Sequence, residues 1–258
     1  MATRTVEEKL EYEPVSVEGK PILVTGGTTG IGRAIAMLLV ARGARVLTFG
    51  RDEDALNDAL NDIKGVGGGE IYGLTADATK PEDVQKVFRE ADRRLDGLDV
   101  LINNAALGAG SVLDSDYDEW QTVVGTNLLG YMLCCKEAAE RMRKKGDGHI
   151  VNIGSMSAKV REEGSDVYVA TKSGIEGFTD SLAKQANKEG IRVTLIEPGL
   201  VGSDMTTDQV PKEGQAEKQE AMEMMKAGEL AECVYYCITQ PKRVNVALVQ
   251  IRPTLQII

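Results

Sequence analysis

From residue 20 to residue 251 the chain repeats one pattern: a short run that is apolar at nearly every position, then a longer stretch with helical periodicity. The short runs are KPILVT at 20–25, ARVLTF at 44–49, EIYGLT at 70–75, LDVLIN at 98–103, HIVNIG at 149–154, IRVTLI at 191–196 and NVALVQI at 245–251. Helical periodicity fills 30–42, 52–64, 81–95, 116–145 and 167–188, and 206–240 is helix-rich. A strand with one wet face alternates apolar and polar residues; a run without that alternation is buried on both faces. Parallel strands joined by helical crossovers bury themselves in this way. The expectation is one α/β domain over 20–258, a doubly wound parallel sheet of about seven strands with helices on both faces. Residues 1–19, polar and carrying Pro14, lack the pattern and are expected to form a loosely ordered arm that in an oligomer packs on a neighbour.

Composition removes several kinds of chemistry. The 258 residues carry a formal net charge of −10 and only 4% aromatics, which excludes a nucleic-acid partner recognised by basic patches and stacking platforms. His149 is the only histidine, so Ser-His-Asp, Cys-His and multi-histidine metal sites are out of reach within one chain, and no metal is expected. His149 itself, following a GDG turn, reads as exposed scaffold at the start of a strand. Cys134, Cys135, Cys233 and Cys237 have no zinc-ligand company and read as reduced core or interface thiols. No apolar run reaches the roughly 18 residues of a membrane span, and no leader pattern opens the chain. A cytoplasmic protein with no membrane partner is expected.

After the first strand comes Thr25-Gly26-Gly27-Thr28-Thr29-Gly30-Ile31-Gly32-Arg33, and helix follows at once. Glycines there let the backbone turn sharply and let a pyrophosphate sit on bare amides at a helix N-terminus. Glycine-rich strand-to-helix turns also occur without ligands, but this one lies in the first crossover, where a Rossmann-type sheet binds dinucleotides. The turn resembles the Thr-Gly-x-x-x-Gly-x-Gly loop of the short-chain dehydrogenase/reductase family, through Thr25, Gly26, Gly30 and Gly32. The resemblance continues in order to about residue 205. Asp77 resembles the family's acidic residue near the adenine, and Asn103-Asn104-Ala105-Ala106 its Asn-Asn-Ala-Gly stretch. Asn127, Ser155, Tyr168-x-x-x-Lys172 and Pro198-Gly199 follow.

Tyr168 and Lys172 lie four apart in a helical run, so both side chains emerge on one face. A free phenol near pKa 10 is a poor acid-base catalyst at neutrality, and a nearby ammonium favours the phenolate. Tyr168 is therefore the candidate general acid for carbonyl reduction and general base for the reverse, with Lys172 lowering its pKa. Ser155, at the end of a strand, can donate a hydrogen bond where charge develops on the carbonyl oxygen. The family resemblance implies further that Lys172 holds the nicotinamide ribose and that Asn127 holds a water leading to Lys172. Taken singly, each residue has a plainer reading as amphipathic surface, turn or helix cap.

At the end of the second strand Gly50 stands where NAD-preferring relatives carry an aspartate, and Arg51 follows; a guanidinium pairs with a 2′-phosphate, so NADP(H) is the expected cofactor. Cofactor contacts are expected from Gly26, Thr28, Thr29, Gly30, Ile31, Gly32, Arg51, Asp77, Asn104, Tyr168 and Lys172. Pro198, Gly199, Val201 and Ser203 are added by the resemblance, which places them at the nicotinamide carboxamide. Met205, Met222, Met224 and Met225 form either an adaptable lid or one face of a core helix. Arg161 is a candidate partner for a substrate carboxylate, although Glu162 and Glu163 beside it also read as a solvated charge run. The ending PKRVNVALVQIRPTLQII resembles a clade of NADP-dependent dehydrogenases acting on serine and other 3-hydroxy acids. The function expected is interconversion of a carbonyl and its alcohol, in a homo-oligomer, a tetramer or dimer. The alternatives are an idle NADP(H)-binding sensor or subunit, and a sugar-nucleotide epimerase.

Overall fold

The computed structural model describes residues 11–207 and 210–256. β1 (Pro21–Thr25) leads into α1 (Gly30–Ala41), β2 (Arg45–Gly50) into α2 (Glu53–Val66), and β3 (Glu70–Thr75) into α3 (Pro81–Leu95). β4 (Val100–Asn103) is followed by α4 (Tyr117–Val124), a π-helical turn (Gly125–Leu129) and α5 (Gly130–Lys145). β5 (Gly148–Ile153) leads into the short α6 (Ser157–Val160) and α7 (Asp166–Ala186). After β6 (Ile191–Pro198) come α8 (Lys212–Glu220), α9 (Ala227–Ile238) and the edge strand β7 (Leu248–Ile251).

All seven strands are parallel, in the order β3-β2-β1-β4-β5-β6-β7. Successive residues of the central strands feed opposite layers. Ile22 and Val24 pack with Ile35, Leu39, Leu230 and Val234 of α1 and α9, whereas Leu23 packs in the layer of Phe88 and Ala138 from α3 and α5. Each strand therefore needs apolar residues at consecutive positions, which is the unbroken hydrophobicity visible in the chain. Local signals fix the helix ends. Asp52 caps α2 by accepting from Ala55 N at 2.8 Å, and Pro81 opens α3 at a position whose N–H has no intrahelical partner. Strand order reverses between β1 and β4, and the loops leaving those two strands part there to open a crevice.

Three expectations change. The run at 116–145 is not one helix: a π turn at Gly125–Leu129 divides it. His149 is 1% exposed rather than surface scaffold, because its strand is third from the β7 edge and covered on both sides. Its Nε2 lies 2.8 Å from Thr194 Oγ1. The described part of the N-terminal arm packs on its own chain, with Val15 N donating to Thr239 O at 2.7 Å and Val17 buried. Residues 1–10 of that arm, and 208–209 of the helix-rich stretch, lie outside the described residues.

Candidate active site

The crevice encloses about 630 Å³ and runs over the C-terminal ends of β1, β4, β5 and β6. At one end lies the turn between β1 and α1. Gly26 has φ +67°, and a Cβ there would sit 2.8 Å from Ala105 Cα; a Cβ on Gly32 would run into the Gly26 carbonyl and the Asn104 amide. Thr25 Oγ1 accepts from the N–H groups of Asn104 and Ala105, both at 2.9 Å, and Asn104 Nδ2 donates to the carbonyls of Thr25 and Gly26 at 3.1 Å. The loops after β1 and β4 are thus stitched together. Thr29, the N-cap of α1, makes no side-chain cap bond, and no acidic residue stands in the first turn. The N–H groups of that turn stay open to an anion.

Farther along this end, Arg51 and Asp77 line the crevice. Burial works against the Asp77 charge, but it is outweighed by the two hydrogen bonds from Thr79, its N–H at 2.9 Å and its hydroxyl at 2.8 Å, together with the attraction of Arg51 and Lys80. The carboxyl is held below its usual range. A Cβ on Gly50 would meet the Thr28 side chain, so a residue larger than glycine there would have to displace Thr28.

At the other end the side chains of β5 and α7 converge. Ser155 Oγ accepts from Ser157 N at 3.1 Å and lies on the same crevice wall as the Tyr168 hydroxyl, whose ionisation it favours. One helical turn beyond Tyr168, Lys172 is 2% exposed. Its Nζ donates to Ile153 O at 2.9 Å and lies 5.7 Å from the centre of the Tyr168 ring. Tyr131 donates to the same carbonyl at 3.2 Å, with its ring 5.5 Å from Nζ. Burial lowers Lys172 to a pKa of about 7. Burial also pushes the Tyr168 phenol up to about 12, although the neighbouring Ser155 hydroxyl acts in the opposite direction. The expected lowering of the phenol is therefore not what the chain alone produces. Desolvation drives Lys172 toward its neutral form and weakens the charge that was to do the lowering.

The crevice brings together Gly26, Thr28, Thr29, Gly30, Ile31, Arg51, Asp77, Asn104, Ser155, Tyr168, Lys172, Pro198, Gly199, Val201 and Ser203 on one surface. Two expected residues stand behind it. Gly32 supports the turn from beneath. Asn127 is fully buried in the π turn, exchanging two 2.8 Å bonds with Leu107, and its Nδ2 lies 3.3 Å from Thr171 Oγ1, beside Lys172. The methionines divide. Met205 lines the crevice, Met224 and Met225 are buried between α8 and α9 rather than on a helix face, and Met222 is exposed. Arg161 is exposed and does not line the crevice, whereas Glu162 and Glu163 do. Sequence reasoning missed Tyr131 and Gln256. Tyr131 follows Asn127 by four residues, a spacing that could have flagged it. Gln256, whose Oε1 accepts from Leu200 N at 3.0 Å, comes from the far end of the chain and carried no local signal.

Comparison with known proteins gives a consistent result. The model of the short chain dehydrogenase family matches residues 20–214. An uncharacterized oxidoreductase of Staphylococcus aureus (strain MRSA252) is 33% identical over 91% of this chain and 97% of its own. Carbonyl reductase family member 4 of Danio rerio is 40% identical over 71% of this chain and 76% of its own. Among solved structures, a metagenomic short-chain oxidoreductase in complex with NADP superposes with a TM-score of 0.79 at 27% identity, covering 93% of this chain and all of that one.

Proposed function

Since the chain belongs to the short chain dehydrogenase family of oxidoreductases, we propose that it interconverts a carbonyl compound and the corresponding alcohol with NADP(H), Tyr168 acting as general acid and base. One observation carries the reading. The phenol of Tyr168, the hydroxyl of Ser155 and the amine-bearing arm of Lys172 meet at one end of a crevice whose other end is an anion-ready helix N-terminus.

The residues present fit a dinucleotide. The turn from Gly26 to Gly32 offers amides to the pyrophosphate, Arg51 and Thr28 flank the place of a 2′-phosphate, and Asp77 stands at the adenine side. Val201 and Ser203 border the nicotinamide side, and Tyr168 and Lys172 the ribose. The 2′-phosphate reading rests on Arg51 and on the absence of an acidic side chain at Gly50, where any side chain would have to displace Thr28. When bound, the reduced cofactor supplies a hydride to the carbonyl carbon. Ser155 and Tyr168 then both hydrogen-bond the carbonyl oxygen as negative charge grows on it, and Tyr168 transfers its phenolic proton to that oxygen. A phenol near pKa 12 is fully protonated at neutrality, the form that reduction needs. Lys172, whose proton is loosely held, stands ready to stabilise the phenolate that remains. Asn127 acts through others: it clamps Leu107 of the crevice wall and touches Thr171. We read the protein as cytoplasmic and homo-oligomeric, a tetramer or dimer. Among the described residues no helix is long and apolar enough to cross a membrane.

The test is turnover of NADPH and NADH by the purified protein with ketones, 3-oxo acids and 2-oxo aldehydes. Activity with NADPH is expected, and Tyr168→Phe should lower kcat by about 10²–10⁴-fold while leaving the Kd for NADPH within about twofold. An active Tyr168→Phe enzyme would refute the role of Tyr168. NADPH binding without turnover of any carbonyl would favour the sensor.

A further inference from the structure

The segment between Ser155 and Tyr168 forms one wall of the crevice at its reacting end. α6 stops at Arg161, whose φ of +60° turns the chain so that Glu162 and Glu163, and not the arginine, line the wall. Glu162 is held in place: Ser157 Oγ donates to its Oε1 at 3.2 Å. Its charge is felt at Tyr168, where it opposes formation of the phenolate. Among the described residues, the charged groups lining the crevice are Arg51 and Asp77 at the phosphate end, and Glu162, Glu163 and Lys172 at the reacting end. Lys172 does not balance the two carboxylates for an incoming substrate, because its Nζ is directed to Ile153 O and burial weakens its charge. A substrate carboxylate would meet two like charges here and no guanidinium.

We propose that Glu162 is a specificity-determining residue that makes this crevice select carbonyl compounds, and the alcohols formed from them, that carry a protonated amine near the reacting carbon, and reject the corresponding carboxylates. The inference rests on the reading of the crevice as a carbonyl/alcohol site and names the substrate class of that site. It runs against the 3-hydroxy acids to which the C-terminal ending pointed. Glu162 is itself exposed, so water and salt weaken its field. The selectivity expected is on the order of tenfold between a cation and an anion, and it should shrink as ionic strength rises.

The experiment is a matched series of three ketones that differ only in one terminal group, ammonium, methyl or carboxylate, assayed with NADPH at fixed ionic strength. In the wild-type protein kcat/KM should fall in that order. In Glu162→Gln, which keeps an oxygen for Ser157, the ammonium-to-carboxylate ratio should drop by about threefold or more, mainly through KM. Ratios measured within one preparation cancel any loss of folded protein. A wild-type preference for the carboxylate, or an unchanged ratio in Glu162→Gln, would overturn the proposal. Failure to turn over any of the three, the methyl ketone included, would instead remove the functional reading beneath it.

Discussion

Lys172 places an amine where a protein has little reason to keep one except for use. It is 2% exposed, and burial holds its pKa near 7, far below the 10.5 of a free lysine. The unfolded chain therefore holds this proton more tightly than the folded one between those two pH values. The destabilisation from Lys172 is complete below about pH 7 and fades as pH rises toward 10.5. Lys172→Met should abolish turnover yet raise stability by about 1–3 kcal/mol at pH 6–7. The Ile153 carbonyl keeps the Tyr131 hydroxyl as a partner. Thermal melts of the two proteins at pH 6 and pH 9 check this. The gain should narrow at pH 9, and a mutant no more stable at pH 6 would contradict it. At this scale the juxtaposition of Tyr168 and Lys172 was legible from spacing, because residues four apart on a helix share a face whatever the tertiary context, whereas the approach of Ser155 to them depends on the tertiary fold. The direction of the phenol's pKa was not legible. It depends on how much water the two groups lose, and that is a property of packing.

Between residue and molecule, the element that matters most is the π turn. A regular helix through 116–145 would present Asn127 at a different angle. The π turn at Gly125–Leu129 places its amide so that oxygen and nitrogen pair with the N–H and C=O of Leu107. Gly130 helps to permit it, since a Cβ there would lie 3.1 Å from the Ala78 carbonyl. Helical periodicity persists through such a turn, so the sequence read as one helix; only the paired glycines of GTNLLG hinted at the break. Asn127→Ala leaves two backbone groups of Leu107 without their partners, a cost of about 2–4 kcal/mol. The melting temperature should fall accordingly. If the clamp also positions the crevice wall, kcat should fall at least about tenfold even at temperatures where the mutant is fully folded. A mutant with wild-type kcat in its folded range would make Asn127 purely structural. The strands, by contrast, were read correctly in number and direction, and six of the seven within two residues. Burial on both faces left no polar alternation to confuse the pattern. β7, an edge strand with Leu248 half exposed, is shorter than its apolar run.

At the scale of the whole molecule, ionisation of interior groups shapes the pH range over which the sheet holds together. Thr194 donates its hydroxyl proton to Val246 O at 2.7 Å, so His149 Nε2 must carry the proton in its 2.8 Å contact with Thr194 Oγ1. Nδ1 is then unprotonated, buried and, among the described residues, without a partner. Burial, with a contribution from nearby Arg192, lowers the His149 pKa to about 3 from its ordinary 6.5. Between those values the unfolded chain binds a proton that the folded one refuses, so stability falls as pH drops below about 6.5. One proton corresponds to about 1.4 kcal/mol per pH unit once the window is entered, or roughly 2 kcal/mol between pH 7 and pH 5. Carboxylates with lowered pKa values, such as Asp77, lose their contribution only at more acidic pH, and the buried Glu197, whose pKa burial raises, acts in the opposite sense, so the main decline in the upper part of the window belongs to the histidine. His149→Gln retains an N–H donor for Thr194 and has no proton to gain. Its stability by urea unfolding should decline far less than that of the wild type from pH 7 to pH 5. Parallel declines in the two proteins would mean that the acid sensitivity of this sheet arises elsewhere.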